Sequence, residues 1–199
     1  VGNSMGGWLA ADYALRNPDR VAHLVVVNAG GLQRDIPKDS LVPTTHAGLD
    51  DKLQRVMGEH TPSLPGFAKD QLIEMMSQPR YSELFDDLIQ GDHLLDGRLG
   101  RVAVPTTVVW GVGDGYFPIE VGRQWAGGIP GATLVELPGC AHAPQLTCPD
   151  QLIAAVQGAL DAVPPPEVDE AEAKEDLLPS LPVPKSSKRG KGVSGPMVP

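Results

Sequence analysis

Gly2-Asn3-Ser4-Met5-Gly6-Gly7 is the stretch that decides the fold. It matches G-x-S-x-G, a pattern in which a serine sits on a sharp turn between a strand and a helix. A turn this tight brings the flanking backbone close to the serine, so Gly2 and Gly6, two positions before and after it, are expected to have little room for side chains. A helix must follow at once, and the sequence supplies one. Met5, Trp8, Leu9, Tyr13 and Leu15 recur at a roughly helical spacing, and Pro18 stops the run at Asn17. The turn thereby sets Ser4 at a helix N-terminus, where the backbone N–H of Met5 is placed to donate to an oxyanion.

Working outward, strands and helices alternate. Val21 to Val27 is a valine-rich run closed by Gly30 and Gly31, and Thr106 to Trp110 is a second, ended by Gly111. Continuous apolar runs of this length suit parallel strands buried on both faces. Ile119 to Ala126 reads as a short helix, Thr133 to Leu137 as a third strand, and Pro149 to Ala162 as a final helix with proline in its first turn. The pattern predicts an α/β fold with a parallel sheet flanked by helices. Between Leu32 and Arg101 the strand pattern disappears. Leu72, Ile73 and Met76, then Tyr81, Leu84, Phe85, Leu88 and Ile89, fall on helical faces. A helical insertion of this length is expected to serve as a lid over a site. Met57, Phe67, Met75, Met76 and Phe85 are its candidates for lining a substrate pocket, although such residues are more often plain core.

A serine hydroxyl is a weak nucleophile until a base takes its proton, and the base needs a carboxylate to hold its tautomer. Of five histidines, His23 begins a strand, while His46, His60 and His93 lie in the insertion. His142 lies in Pro138-Gly139-Cys140-Ala141-His142-Ala143-Pro144, just after the last strand, where ligands gather in open α/β sheets. For the acid, Asp114 follows a strand in Trp110-Gly111-Val112-Gly113-Asp114, and Asp35 is the alternative because it too follows a strand. With Asp114 the chain order is Ser, Asp, His. A metal cluster of Cys140, His142 and Cys148 lacks the fourth ligand that a structural zinc site requires. Neither metal nor cofactor is expected.

From the turn around Ser4 to the final helix, residues 1 to about 162, the chain resembles the lid-bearing α/β-hydrolases. The resemblance rests on the Gly-Asn-Ser-Met-Gly-Gly turn, Asn17-Pro18-Asp19-Arg20-Val21, Val104-Pro105-Thr106, Trp110-Gly111-x-x-Asp114 and Ile129-Pro130-Gly131-Ala132. It implies that Ser4, Asp114 and His142 form a triad, that Met5 contributes an oxyanion donor, and that the lid lies between the sixth and seventh strands of the family's sheet. It further implies a serine hydrolase acting through an acyl-enzyme on a small to medium apolar ester or related carbonyl substrate. The wording of the turn is similar to hydrolases that cleave carbon-carbon bonds of ring-fission products and also to esterases. A non-catalytic protein that keeps the pocket for a ligand is a further alternative. Ala141 stands where relatives usually have glycine, and Thr147 where many carry an acidic residue. The resemblance covers only the C-terminal portion of such proteins, so the second oxyanion donor is expected upstream of Val1 and this stretch is expected to be inactive alone.

The organisation expected is a first core segment (1–31), a helical lid (32–101), the rest of the core (102–162) and a disordered tail (163–199) rich in proline and charge. The 199 residues carry a net charge of −9 and no dense basic stretch before residue 185, which argues against nucleic acid as a partner. No apolar run approaches the length of a membrane span. Two cysteines, Cys140 and Cys148, are too few for a disulfide framework, though a single bridge is compatible, and on that content a cytoplasmic location is expected.

Overall fold

The fold was described from a computed structural model, which describes residues 1–34, 36, 38–80, 83 and 93–163, with Lys38 and Asp39 by their backbone alone. Residues 1–163 make one compact unit. Four strands, β1 (Gly2–Asn3), β2 (Leu24–Val27), β3 (Thr106–Gly111) and β4 (Thr133–Leu137), form one sheet in the order β1-β2-β3-β4, parallel throughout. Seven α-helices are described: α1 (Met5–Arg16), α2 (Lys38–Leu41), α3 (His46–Met57), α4 (Gly66–Met76), α5 (Ile119–Gly128), α6 (Pro144–Thr147) and α7 (Pro149–Asp161).

Parallel pairing forces each strand to return by a crossover, and the crossover helices cover both faces of the sheet. Leu24 and Val26 of β2 and Val108 and Trp110 of β3 face a core shared with Trp8 and Ala11 of α1 and Val121 and Trp125 of α5. Val25, Val27 and Val109 face the opposite core, shared with Leu137, Cys140 and Ala159 of α7. All four residues of β2 are buried, which is why its sequence shows no polar alternation. Withdrawing each such valine from water contributes about 1.5–3 kcal/mol. The expected strand from Val21 is shorter than the sequence suggested, because Pro18–Arg20 makes a 3-10 turn and the Val21 N–H is spent on the Pro18 carbonyl.

Between β2 and β3 the described elements are helical. Thr45 caps α3 by accepting from the Gly48 N–H, and α3 is tied to α4 by His46–Asp70 and Lys69–Asp50 pairs, each at 2.6 Å. Residues Tyr81, Leu84, Phe85, Leu88 and Ile89, the alternative acid Asp35 and the proline-rich segment after Val163 lie outside the described residues. Among the described residues, no helix is long and apolar enough to cross a membrane.

Candidate active site

Ser4 stands between β1 and α1 with φ 55° and ψ −122°, a backbone conformation that a non-glycine residue rarely adopts. It is held there by its own backbone. The Ser4 N–H donates to the Val27 carbonyl, and its carbonyl accepts from the N–H groups of Gly7, Trp8 and Gly30. Gly2 is sterically required, since a Cβ there would lie 2.2 Å from the Gly6 carbonyl oxygen. Gly6 is not: a Cβ built on it meets nothing within 4 Å. The second required glycine is Gly7, where a Cβ would come within 2.9 Å of both the Ala29 Cβ and the Gly2 carbonyl oxygen. The expectation for Gly6 is therefore corrected, because the close approach, to Ala29 beyond β2 and to Gly2 of β1, occurs one residue later. Met5 begins α1, so its N–H has no carbonyl one turn earlier within the helix to accept it.

The loops after β3 and β4 bring two more groups to Ser4. His142 Nε2 lies 2.9 Å from Ser4 Oγ, and His142 Nδ1 lies 2.8 Å from Asp114 Oδ2. Asp114 and His142 are each 7% exposed. Asp114 is held by more than the histidine. Its Oδ1 accepts from the backbone N–H groups of Tyr116 (2.7 Å) and Phe117 (2.9 Å), and its Oδ2 accepts from Asn28 Nδ2 at 2.6 Å. The imidazole is flanked by Tyr116, edge-on at 5.1 Å between centroids, and by Phe117 at 5.4 Å. With the carboxylate accepting from Nδ1–H, the tautomer left on Nε2 is an acceptor, able to take the Ser4 proton.

Asn28 was not foreseen. It is fully buried at the C-terminal end of β2, adopts a left-handed φ of 46°, and ties that end to the end of β3 and the loop after it: its Oδ1 accepts from the Gly111 N–H at 3.1 Å while its Nδ2 holds Asp114. The signal for it in the sequence is a lone amide closing the valine run, at the sheet edge that also holds Asp114 and His142. Asn3 was missed as well. Its Nδ2 donates to the His142 carbonyl at 3.0 Å and its Oδ1 accepts from Gln145, so the residue before the serine fastens the histidine loop.

The C-terminus of α3 docks on both loops. The Arg55 carbonyl accepts from the Gly115 N–H and the Val56 carbonyl from the Ala143 N–H, at 3.2 and 3.1 Å. A cavity of about 490 Å³ opens beside Ser4 and His142, walled by α1, α3 and the segments after β2 and β3. Its apolar lining includes Trp8, Leu32, Ile36, Val56, Leu94 and Phe117. The candidates Met57, Phe67, Met75 and Met76 do not line it, and Phe85 lies outside the described residues. Phe67 is 70% exposed and Met75 48% exposed. Helical periodicity shows which face of a helix is apolar but not what that face meets, and here α4 packs on α3 and contributes no residue to the cavity.

Cys140 and Cys148 are joined by a disulfide with a Cα separation of 5.8 Å, which brackets His142. Both sulfurs are thus engaged, and among the described residues no group of three His, Cys, Asp or Glu is placed to hold a metal.

Residues 1–156 match the model of the alpha/beta hydrolase family. A 2-hydroxy-6-oxononadienedioate/2-hydroxy-6-oxononatrienedioate hydrolase of Cupriavidus pinatubonensis is 33% identical, over 71% of this chain and 54% of that protein. The crystal structure of a membrane phospholipase A, a bacterial virulence factor, is similar at a TM-score of 0.65 and 27% identity, over 80% of this chain and 55% of its own. A 2-hydroxy-6-oxo-6-phenylhexa-2,4-dienoate hydrolase from Rhodococcus sp. strain RHA1 shares the fold at a TM-score of 0.64 and 20% identity, over 81% and 63% of the two chains. The chain spans about half the length of the curated relatives it matches.

Proposed function

The chain belongs to the alpha/beta hydrolase family, and on that premise we propose that it carries the nucleophile, base and acid of a serine hydrolase acting on a small to medium, largely apolar carbonyl substrate. The observation that supports this most is the unbroken hydrogen-bonded line from Ser4 Oγ through His142 to Asp114. His142 takes the Ser4 proton as Ser4 Oγ attacks the carbonyl, and Asp114 stabilises the imidazolium that results. The Met5 N–H faces the oxygen that becomes negative, a donor whose loss typically costs about a hundred- to a thousandfold in rate. His142 then returns the proton to the leaving group, and water resolves the acyl-enzyme by the same steps in reverse. Helices α2 and α3, which contribute Leu41, Lys52 and Val56 to its wall, serve as the lid, and the cavity takes the substrate's apolar part.

A second reading is favoured by the curated relatives, whose names describe hydrolases of 2-hydroxy-6-oxo dienoic acids. Under it the bond cut is the carbon-carbon bond beside the ketone, with the same serine and histidine. A fluorophosphonate probe on the full-length protein tests the common core: Ser4 is expected to be labelled, and labelling to vanish in His142→Ala. An intact fold that takes up no label would leave a non-catalytic binding protein as the better account. Turnover of para-nitrophenyl esters against loss of a dienoate chromophore then separates the two substrate classes.

A further inference from the structure

The cavity holds a charge that neither the sheet nor the Ser4-His142-Asp114 line requires. Lys52, on α3, lines it together with Ser4 and His142. Its Nζ donates to the Leu41 carbonyl at 2.8 Å and stands 5.8 Å from the centre of the Tyr116 ring. Among the described residues no carboxylate lies within 4.0 Å of that nitrogen, and no Asp or Glu lines the cavity. This is unexpected in a protein with 25 acidic and 16 basic residues, where a lysine is easily given a partner. Burial alone pushes the Lys52 ammonium below the ordinary lysine range, with no neighbouring charge opposing it. An ammonium partly withdrawn from water without a counter-charge costs stability, and a methionine would fill the same half-buried space without that cost.

An ammonium has three donors, and the Leu41 carbonyl uses one. The remaining capacity borders a cavity whose other described walls are mostly apolar, where a charge-assisted hydrogen bond is stronger than in water. Arg34 also lines the cavity and adds to the positive field there. We propose that Lys52 is a specificity-determining residue that receives a carboxylate of the substrate, separate from the carbonyl that Ser4 attacks, so that the site selects acidic over neutral substrates. This rests on the cavity being the substrate site, and it adds to that the chemical class of the substrate and the residue that reads it.

The test compares paired substrates on the full-length protein: para-nitrophenyl monoesters of glutaric, adipic and pimelic acid against neutral acyl esters of matched length. The quantity read is the ratio of kcat/KM, acidic over neutral, in the wild type, Lys52→Met, Lys52→Arg and Ser4→Ala. The wild type is expected to favour at least one acidic chain length. Lys52→Met should lower that ratio by roughly ten- to a hundredfold, the span of a hydrogen bond to a charged group, mostly through KM. Lys52→Arg should restore much of it, and high salt should compress it. Turnover that needs Ser4 but has the same ratio in the wild type and Lys52→Met overturns the proposal and leaves the hydrolase standing. If no Ser4-dependent turnover is found, the hydrolase itself fails. The anion site is then read by calorimetric binding of adipate: binding lost in Lys52→Met and kept in Lys52→Arg supports it, and binding absent or unchanged by either substitution overturns it.

Discussion

Removing the side chain of Asn28 should damage both stability and turnover, and the size of the effect follows from its contacts. Asn28 is fully buried, and it donates to Asp114 Oδ2 at 2.6 Å while accepting from the Gly111 N–H at 3.1 Å. Asn28→Ala forfeits a hydrogen bond to a charged acceptor, worth about 1.5–3 kcal/mol, and leaves a buried N–H without an acceptor, about 1–3 kcal/mol. The left-handed φ of 46° adds a cost, because asparagine tolerates that region better than alanine. A loss of about 3–5 kcal/mol is expected, a large share of the roughly 5–15 kcal/mol that holds a domain together. Since Tyr116 and Phe117 still donate to Oδ1, Asp114 keeps part of its orientation, so kcat should fall without vanishing. Asn28→Asp separates the two roles. It keeps an acceptor for Gly111 but sets a second carboxylate oxygen against Asp114, a like-charge contact that forces one of the pair to take a proton. Denaturant unfolding of the full-length protein measures the first effect, and kcat for an ester measures the second. An Asn28→Ala protein within about 1 kcal/mol of wild type, or an Asn28→Asp protein as active as wild type at neutral pH, would refute the assignment of Asn28 as the residue positioning Asp114.

Gly7→Ala should destabilise by about 1–3 kcal/mol, because its Cβ presses on Ala29 and the Gly2 carbonyl. Gly6→Ala should be neutral or stabilising by up to about 1 kcal/mol, since the added methyl meets no neighbour and alanine favours the helix; equal effects in thermal melts would contradict the geometry. His23 is pushed below the ordinary histidine range by burial, with its Nε2 at 2.9 Å from Thr107 Oγ1. The unfolded chain therefore binds the His23 proton more readily, so His23 contributes no penalty above its unfolded pKa and an increasing one as pH falls below it. His23→Gln should flatten that part of the stability profile between roughly pH 7 and 5, and an unaltered profile would exclude His23 as its source. Reduction of Cys140–Cys148, which closes a short loop of sequence separation 8 around His142, should cost about 2–3 kcal/mol on the chain-entropy account. Unfolding with and without dithiothreitol, alongside mass analysis of the thiols, measures it.

Much of the architecture is legible because buried parallel strands leave a strong mark. Leu24 to Val27 and Thr106 to Gly111 carry no polar alternation, and helices covering both faces make alternation unnecessary. Ser4 is equally legible, since the glycine at position 2 avoids a clash between a Cβ and the Gly6 backbone that any other residue would make. Asp114 and His142 could be sought because strand C-termini collect at one edge of such a sheet. The pocket lining was not legible. The methionines and phenylalanines of the insertion mark apolar faces, yet the cavity is lined by Val56 and Lys52 of α3 and by the segments after β2 and β3.

The sequence by itself determined the strand–helix alternation, the strained turn at Ser4 and the edge of the sheet where its partners had to lie, because each follows from periodicity or sterics within a few residues. Only the tertiary structure decided which polar groups meet. Asn28 reaches Asp114 across 86 positions, Asn3 fastens the His142 carbonyl across 139, and Lys52 enters the cavity on a helix whose docking is set by the Gly115 and Ala143 amides. Hydrogen bonds act over about 3 Å, and contacts that short between residues so distant in the chain exist only once packing has fixed every element between them.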